Sequence, residues 1–126
     1  MAFETLPALL SQALVAKGYE ALTPVQSEVT QEEAHGRDLL VSAQTGSGKT
    51  VAFGLAMAGE LLGEAERLPV AGLPLALAIA PTRELALQVS RELEWLYGAA
   101  RARIATCVGG MDAAKERRNL SHGAHI

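Results

Sequence analysis

Apolar positions along this chain follow two different periods. Leu6, Leu9, Leu10, Ala13 and Leu14 recur at the three-and-four spacing of one helix face. Residues 6–17 are therefore expected to form an amphipathic helix, stopped by Gly18. A second helix is expected from Thr23 to about His35, with Gly36 just past its end. The pattern then changes to short, near-continuous apolar runs at 39–42, 75–80 and 103–108, which read as buried strands. Helical spacing returns between them, at 49–62, at 83–97 and at about 113–120. In the middle one Leu85, Val89, Leu93 and Leu96 share a face and Gly98 lies beyond the end. Residues 63–74 form the longest connection.

The order is β-α-β-α-β-α after a helical preface. Apolar strands alternating with helices predict an α/β fold, a parallel sheet with helices on both faces. The preface occupies residues 1–36 and the sheet-forming part 37–126. Residues 123–126 read as the start of another strand, so the chain is expected to be the first part of a larger domain.

Charge is uneven. The net charge of −3 divides into −5 over residues 1–82, from four basic and nine acidic residues, and +2 over residues 83–126, from seven and five. A net acidic chain has little to offer for nonspecific nucleic-acid binding, so any such contact must come from a few positioned groups. Cys107 is the single cysteine, which excludes an intrachain disulfide; a packed thiol in a buried strand is expected. The N-terminus has no basic signal-type region. The longest apolar run, residues 68–81, is 14 long and holds three prolines, too short and broken to span a bilayer. No membrane partner and a cytoplasmic location are the resulting expectations.

The chemistry concentrates at Ala43-Gln44-Thr45-Gly46-Ser47-Gly48-Lys49-Thr50, between a strand and a helix. This is the layout of a phosphate-binding loop. Gly46 and Gly48 allow backbone angles a Cβ forbids, and successive N–H groups can then turn toward an anion. The next helix points its positive end at the same spot. Lys49 can reach a β- or γ-phosphate, and the Thr50 hydroxyl can ligate Mg²⁺. Glycines used for turn geometry alone do not need the Gly-Lys-Thr ending.

Two further stretches stand out. Thr23-Pro24-Val25-Gln26 has the form of a helix capping box with proline at the first helical position. The Gln26 amide also matches the donor and acceptor edge of adenine, and the two roles are compatible. Pro81-Thr82-Arg83-Glu84-Leu85-Ala86 follows the second strand, with Thr82 as an N-cap and Arg83 able to pair with a phosphate or an internal acid. Gly109-Gly110 follows the third strand, as a plain turn or as a place of close backbone approach.

Taken in order, these elements resemble a DEAD-box RNA helicase from Phe3 to Gly110. The resemblance implies a RecA-like ATP-binding domain. It implies that Gln26 reads adenine and Phe3 stacks on it, that residues 43–50 hold the phosphates with Lys49 catalytic and Thr50 on the metal, and that Pro81, Thr82, Arg83, Glu84, Gly109 and Gly110 lie along an RNA backbone. ATP, Mg²⁺ and RNA are the implied cofactors and partner. Asp-Glu-Ala-Asp, Ser-Ala-Thr and Thr-Pro-Gly-Arg do not occur in the 126 residues, so the chain alone is expected to be inactive. Its strand edges, without their sheet neighbours, are expected to self-associate. A different P-loop NTPase, such as a small kinase, and a non-catalytic nucleotide-binding module are the alternatives that the residues leave open.

Overall fold

The computed structural model describes residues 3–110 and 112–126. Six α-helices are found among them: α1 (Ala8–Ala16), α2 (Pro24–Val29), α3 (Lys49–Ala56), α4 (Ala58–Leu62), α5 (Arg83–Tyr97) and α6 (Ala113–Ser121). Single turns of 3-10 helix cover Glu32–Ala34 and Gly98–Ala100. The chain packs as two compact units, Met1–Glu66 and Arg67–Ile126.

In the first unit, α1 buries Leu10 and Leu14 completely. Gly18 ends it in a left-handed conformation, φ 94°. The Tyr19 N–H reaches back to the Leu14 carbonyl (2.9 Å) and the Gly18 N–H to Val15 (3.0 Å), so two terminal carbonyls are satisfied. The helix expected from Thr23 to His35 breaks after Val29. Thr30 Oγ1 bonds back to the carbonyls of Gln26 (2.9 Å) and Ser27 (3.0 Å), and Gln31 leaves helical geometry at ψ 152°. The helix expected over 49–62 is likewise divided, at Met57, between α3 and α4, with Gly54 and Gly59 on either side of the break. Val25 and Val29 of α2 pack on Ala52 of α3, with Ala43 and Ala56 against the cluster.

In the second unit, α5 has the expected bounds and buries Leu93, Leu96 and Tyr97. No strand is found among the described residues at 39–42, 75–80 or 103–108; the isolated bridge they contain joins Gly72 to Ala124. Residues 124–126 nonetheless hold two stretches of this unit. Their backbone accepts from Leu75 (2.8 Å), Ala76 (3.1 Å) and Ala105 (3.0 Å) and donates to Gly72 (3.1 Å) and Arg103 (2.7 Å). The His125 ring, 3% exposed, adds to this: Nδ1 accepts from the Arg103 N–H (2.8 Å), and Nε2, which carries the hydrogen, donates to the Pro69 carbonyl (2.6 Å). The packed thiol expected at Cys107 is not found. Cys107 is exposed.

Candidate nucleotide and RNA sites

The 43–50 turn has the backbone that its glycines allow. Gly46 and Gly48 sit at φ 82° and 85°, the left-handed region, and α3 begins at Lys49 with Gly48 as its N-cap. A Cβ at Gly46 would meet nothing within 4 Å, so that part of the turn is open to a ligand. Lys49 is exposed, and its Nζ donates to the Ala43 carbonyl at 2.5 Å across the mouth of the turn. Ser47 Oγ is buried without a hydrogen-bond partner. A charged phosphate oxygen is a stronger acceptor for the ammonium than a neutral carbonyl, and Ser47 has an unused hydroxyl. The residues present therefore fit an anionic phosphate group.

Gln26 is where α2 meets this turn. Its side chain has no accessible surface. Oε1 accepts from the Thr23 N–H (3.0 Å), and Nε2 donates to the Gly48 carbonyl (3.2 Å). The expected capping box between Thr23 and Gln26 is present, with the Thr23 N–H to Gln26 Oε1 bond as its firm half; Thr23 Oγ1 is buried and makes no close hydrogen bond. A Cβ at Gly48 would collide with Gln26 Nε2 and lie 3.3 Å from its Cδ. Glycine is thus required there by its φ and again by the amide beside it. Phe3 is also buried, 8% exposed, and its carbonyl accepts from the Leu6 N–H and Ser11 Oγ.

In the second unit, Thr82 caps α5 as expected, its Oγ1 accepting from the Leu85 N–H at 3.2 Å. Pro81, Thr82, Arg83 and Glu84 are all exposed. The Arg83 guanidinium donates through Nη2 to the Gly109 carbonyl, so the two elements singled out in this unit meet. That contact escapes inspection of the sequence, because 26 residues separate the partners. Its one local sign is Gly110, which adopts φ 78° next to the guanidinium.

Residues 23–126 match the family described as DEAD/DEAH box helicase. The chain belongs to that family. This DEAD-box chain is 42% identical over 117 residues to the ATP-dependent rRNA helicase rrp3 of Botryotinia fuckeliana (strain B05.10), a match covering 93% of the chain and 23% of the relative. It is 37% identical to the DEAD-box ATP-dependent RNA helicase CshA of Bacillus licheniformis, with the same coverage of 93% and 23%. It therefore spans about a quarter of the length of the curated relatives it matches. Among solved structures it is similar to the RNA-helicase Prp28 from Chaetomium thermophilum bound to ADP, with TM-score 0.82 and 33% identity over 98% of this chain and 30% of that one. The DEAD-box chain thus has the RecA-like fold and corresponds to part of the first such domain. Family membership sets aside the small-molecule kinase that the phosphate loop alone left open.

Proposed function

We propose that this chain is the ATP-binding part of an ATP-dependent RNA helicase, which couples ATP binding and hydrolysis to RNA unwinding or remodelling. The observation that carries this reading is the junction of Gln26 with Gly48. A buried amide, bonded to Thr23 at one end, supports the last glycine of the phosphate loop at the other. The helix cap and the phosphate loop are thereby linked through one side chain, the one read as the adenine reader. Ala43, Gln44, Thr45, Gly46, Ser47 and Gly48 would wrap the phosphates, Lys49 would exchange the Ala43 carbonyl for the β- and γ-phosphates, and the Thr50 hydroxyl would ligate Mg²⁺. The metal supplies charge neutralisation at the phosphate oxygens. Phe3, buried in the first unit, is read as the aromatic residue of the adenine side. Pro81 to Glu84 and Gly109-Gly110 serve the RNA backbone.

The segments 39–42, 75–80 and 103–108 are read as parallel strands of the RecA-like sheet, covered by helices on both faces, with 1–36 as its preface and 37–126 as its first part. Their near-continuous apolar runs support this. Self-association of the 126-residue chain is supported by the exposure of the runs at 39–42 and 75–80. A cytoplasmic setting is part of the proposal; among the described residues no helix is long and apolar enough to cross a membrane.

Turnover by the complete protein tests the reading. ATP should be hydrolysed in preference to GTP, with stimulation by RNA, and Lys49→Ala should abolish this by removing the charge on the phosphates. Full ATPase activity in Lys49→Ala, or equal use of the two nucleotides by the wild type, would show that the loop has been misread.

A further inference from the structure

The exposed arginine at the start of α5 invites assignment as a phosphate ligand, yet its guanidinium is already engaged by the protein. Nη2 donates to the Gly109 carbonyl. The same group fills the space that Gly110 leaves by having no side chain: a Cβ there would collide with Nη2, lie 3.3 Å from Cζ and 3.8 Å from Nη1. Gly110 is at φ 78°, a conformation that only glycine adopts at little cost. One guanidinium thus meets the turn twice, by a bond to its first residue and by packing into the gap of its second. A planar fork of five donors suits this, since a hydrogen bond and a flat packing surface come from the same group.

We propose that Arg83 is a positioning residue: it sets the conformation of the Gly109-Gly110 turn and acts on RNA through that turn, without itself neutralising a phosphate. The inference rests on the reading of this turn as an RNA contact. It differs from that reading in what it requires of salt dependence. A cation that meets a phosphate releases counterions, and its removal lowers the slope of log K against log salt by about 0.7 for single strands. A cation held on a protein carbonyl and away from the phosphates changes the slope far less. Lysine keeps the charge but offers neither the fork nor the flat surface.

The experiment uses the complete protein and a fluorescein-labelled oligouridylate, titrated by anisotropy at several KCl concentrations with a non-hydrolysable ATP analogue present. Hydrogen exchange at Gly109 and Gly110 is read in parallel without RNA. Arg83→Ala should weaken RNA binding by roughly tenfold, the size of one charge-assisted hydrogen bond, with a salt slope near that of the wild type. Its turn amides should exchange faster. Arg83→Lys should behave more like Arg83→Ala than like the wild type. Gly110→Ala should weaken binding as well, and the double variant Arg83→Ala/Gly110→Ala should lose less than the two single losses combined. A slope lowered by about 0.7 in Arg83→Ala, with wild-type exchange at the turn, would overturn the proposal and make Arg83 a direct phosphate ligand. Unchanged affinity in Arg83→Ala would overturn it too. If the wild type binds no RNA but Arg83→Ala still speeds exchange at the turn, the RNA reading fails while the structural link stands. No RNA binding and no change in exchange would defeat both.

Discussion

Arg101 holds φ 59° and ψ 38°, the single non-glycine residue with positive φ among those described. It closes the 3-10 turn after α5: its N–H reaches the Gly98 carbonyl at 3.1 Å, and the Ala102 N–H reaches Tyr97 at 3.3 Å. Left-handed geometry costs a side-chain-bearing residue about 1–2 kcal/mol. Glycine returns part of that by being freer in the unfolded chain, about 0.4–1 kcal/mol. Arg101→Gly should therefore stabilise the protein by about 0.5–1 kcal/mol, seen as a higher urea midpoint; a lower midpoint would mean that the arginine side chain contributes more than its backbone costs. Legibility at this scale was uneven. Thr82 and Gln26 were readable because capping chemistry acts over three residues. The Gln26 bond to Gly48 and the Arg83 bond to Gly109 were not, because they span 22 and 26 residues and depend on how the elements meet. Cys107 was misjudged for a related reason: an apolar run predicts burial only when something covers it.

Helices α5 and α6 show how differently two elements can be held. The first buries Ser90, Leu93, Leu96 and Tyr97, whereas the second buries none of its residues. What holds α6 is its first turn: Asp112 Oδ1 accepts from the N–H groups of Ala114 (3.0 Å) and Lys115 (3.2 Å), and Glu116 Oε1 accepts from the Val108 N–H (3.0 Å). Asp112→Ala should then cost about 0.5–2 kcal/mol locally, visible as faster amide exchange through 113–121, whereas Asp112→Asn should leave exchange near wild type. Equal exchange in all three proteins would show that the cap is dispensable. At the end of α5, burial pushes the Tyr97 phenol well above its ordinary value of 10.0. A raised value in the folded state means that its contribution is complete below about pH 10 and falls as the pH climbs past it, because the unfolded phenol ionises first. The urea midpoint should drop from about pH 9 to about pH 11, and Tyr97→Phe should lessen the drop; an identical drop in both proteins would assign it to other groups. Long periodic helices were the most legible elements, and α5 has its expected bounds. The breaks at Thr30 and Met57 were not foreseen, since a back-bonding threonine and flanking glycines act against an otherwise continuous helical pattern.

Across the molecule, apolar side chains expected in a sheet interior face outward: Leu40 is fully exposed, Leu77 83% and Ile79 87%. A groove of about 670 Å³ lined by Val25, Val29, Leu39, Leu40 and Val41 runs beside the first of these stretches. Apolar surface of this kind recruits other chains. The 126-residue chain should scatter light above its monomer mass, and Leu40→Glu with Ile79→Glu should reduce the excess; a monodisperse monomer would contradict this. The alternation of helix and strand patterns made the fold class readable, but the pairing of strands depends on partners that no local pattern specifies. The junction built on residues 124–126 adds a dimension of time. The Pro69 and Gly72 carbonyls, the Leu75, Ala76 and Ala105 N–H groups and both backbone polar groups of Arg103 find their partners on these three residues. Synthesis runs from the N-terminus, so the groups that need the junction leave the ribosome before it does. The stretches around Pro69–Ala76 and Arg103–Ala105 must wait, with these groups unpaired and within reach of chaperones or neighbouring chains, until residues 124–126 emerge. A ribosome-bound nascent chain halted with Gly123 just exposed should be cut by protease between residues 67 and 80, and one halted a few residues later should resist.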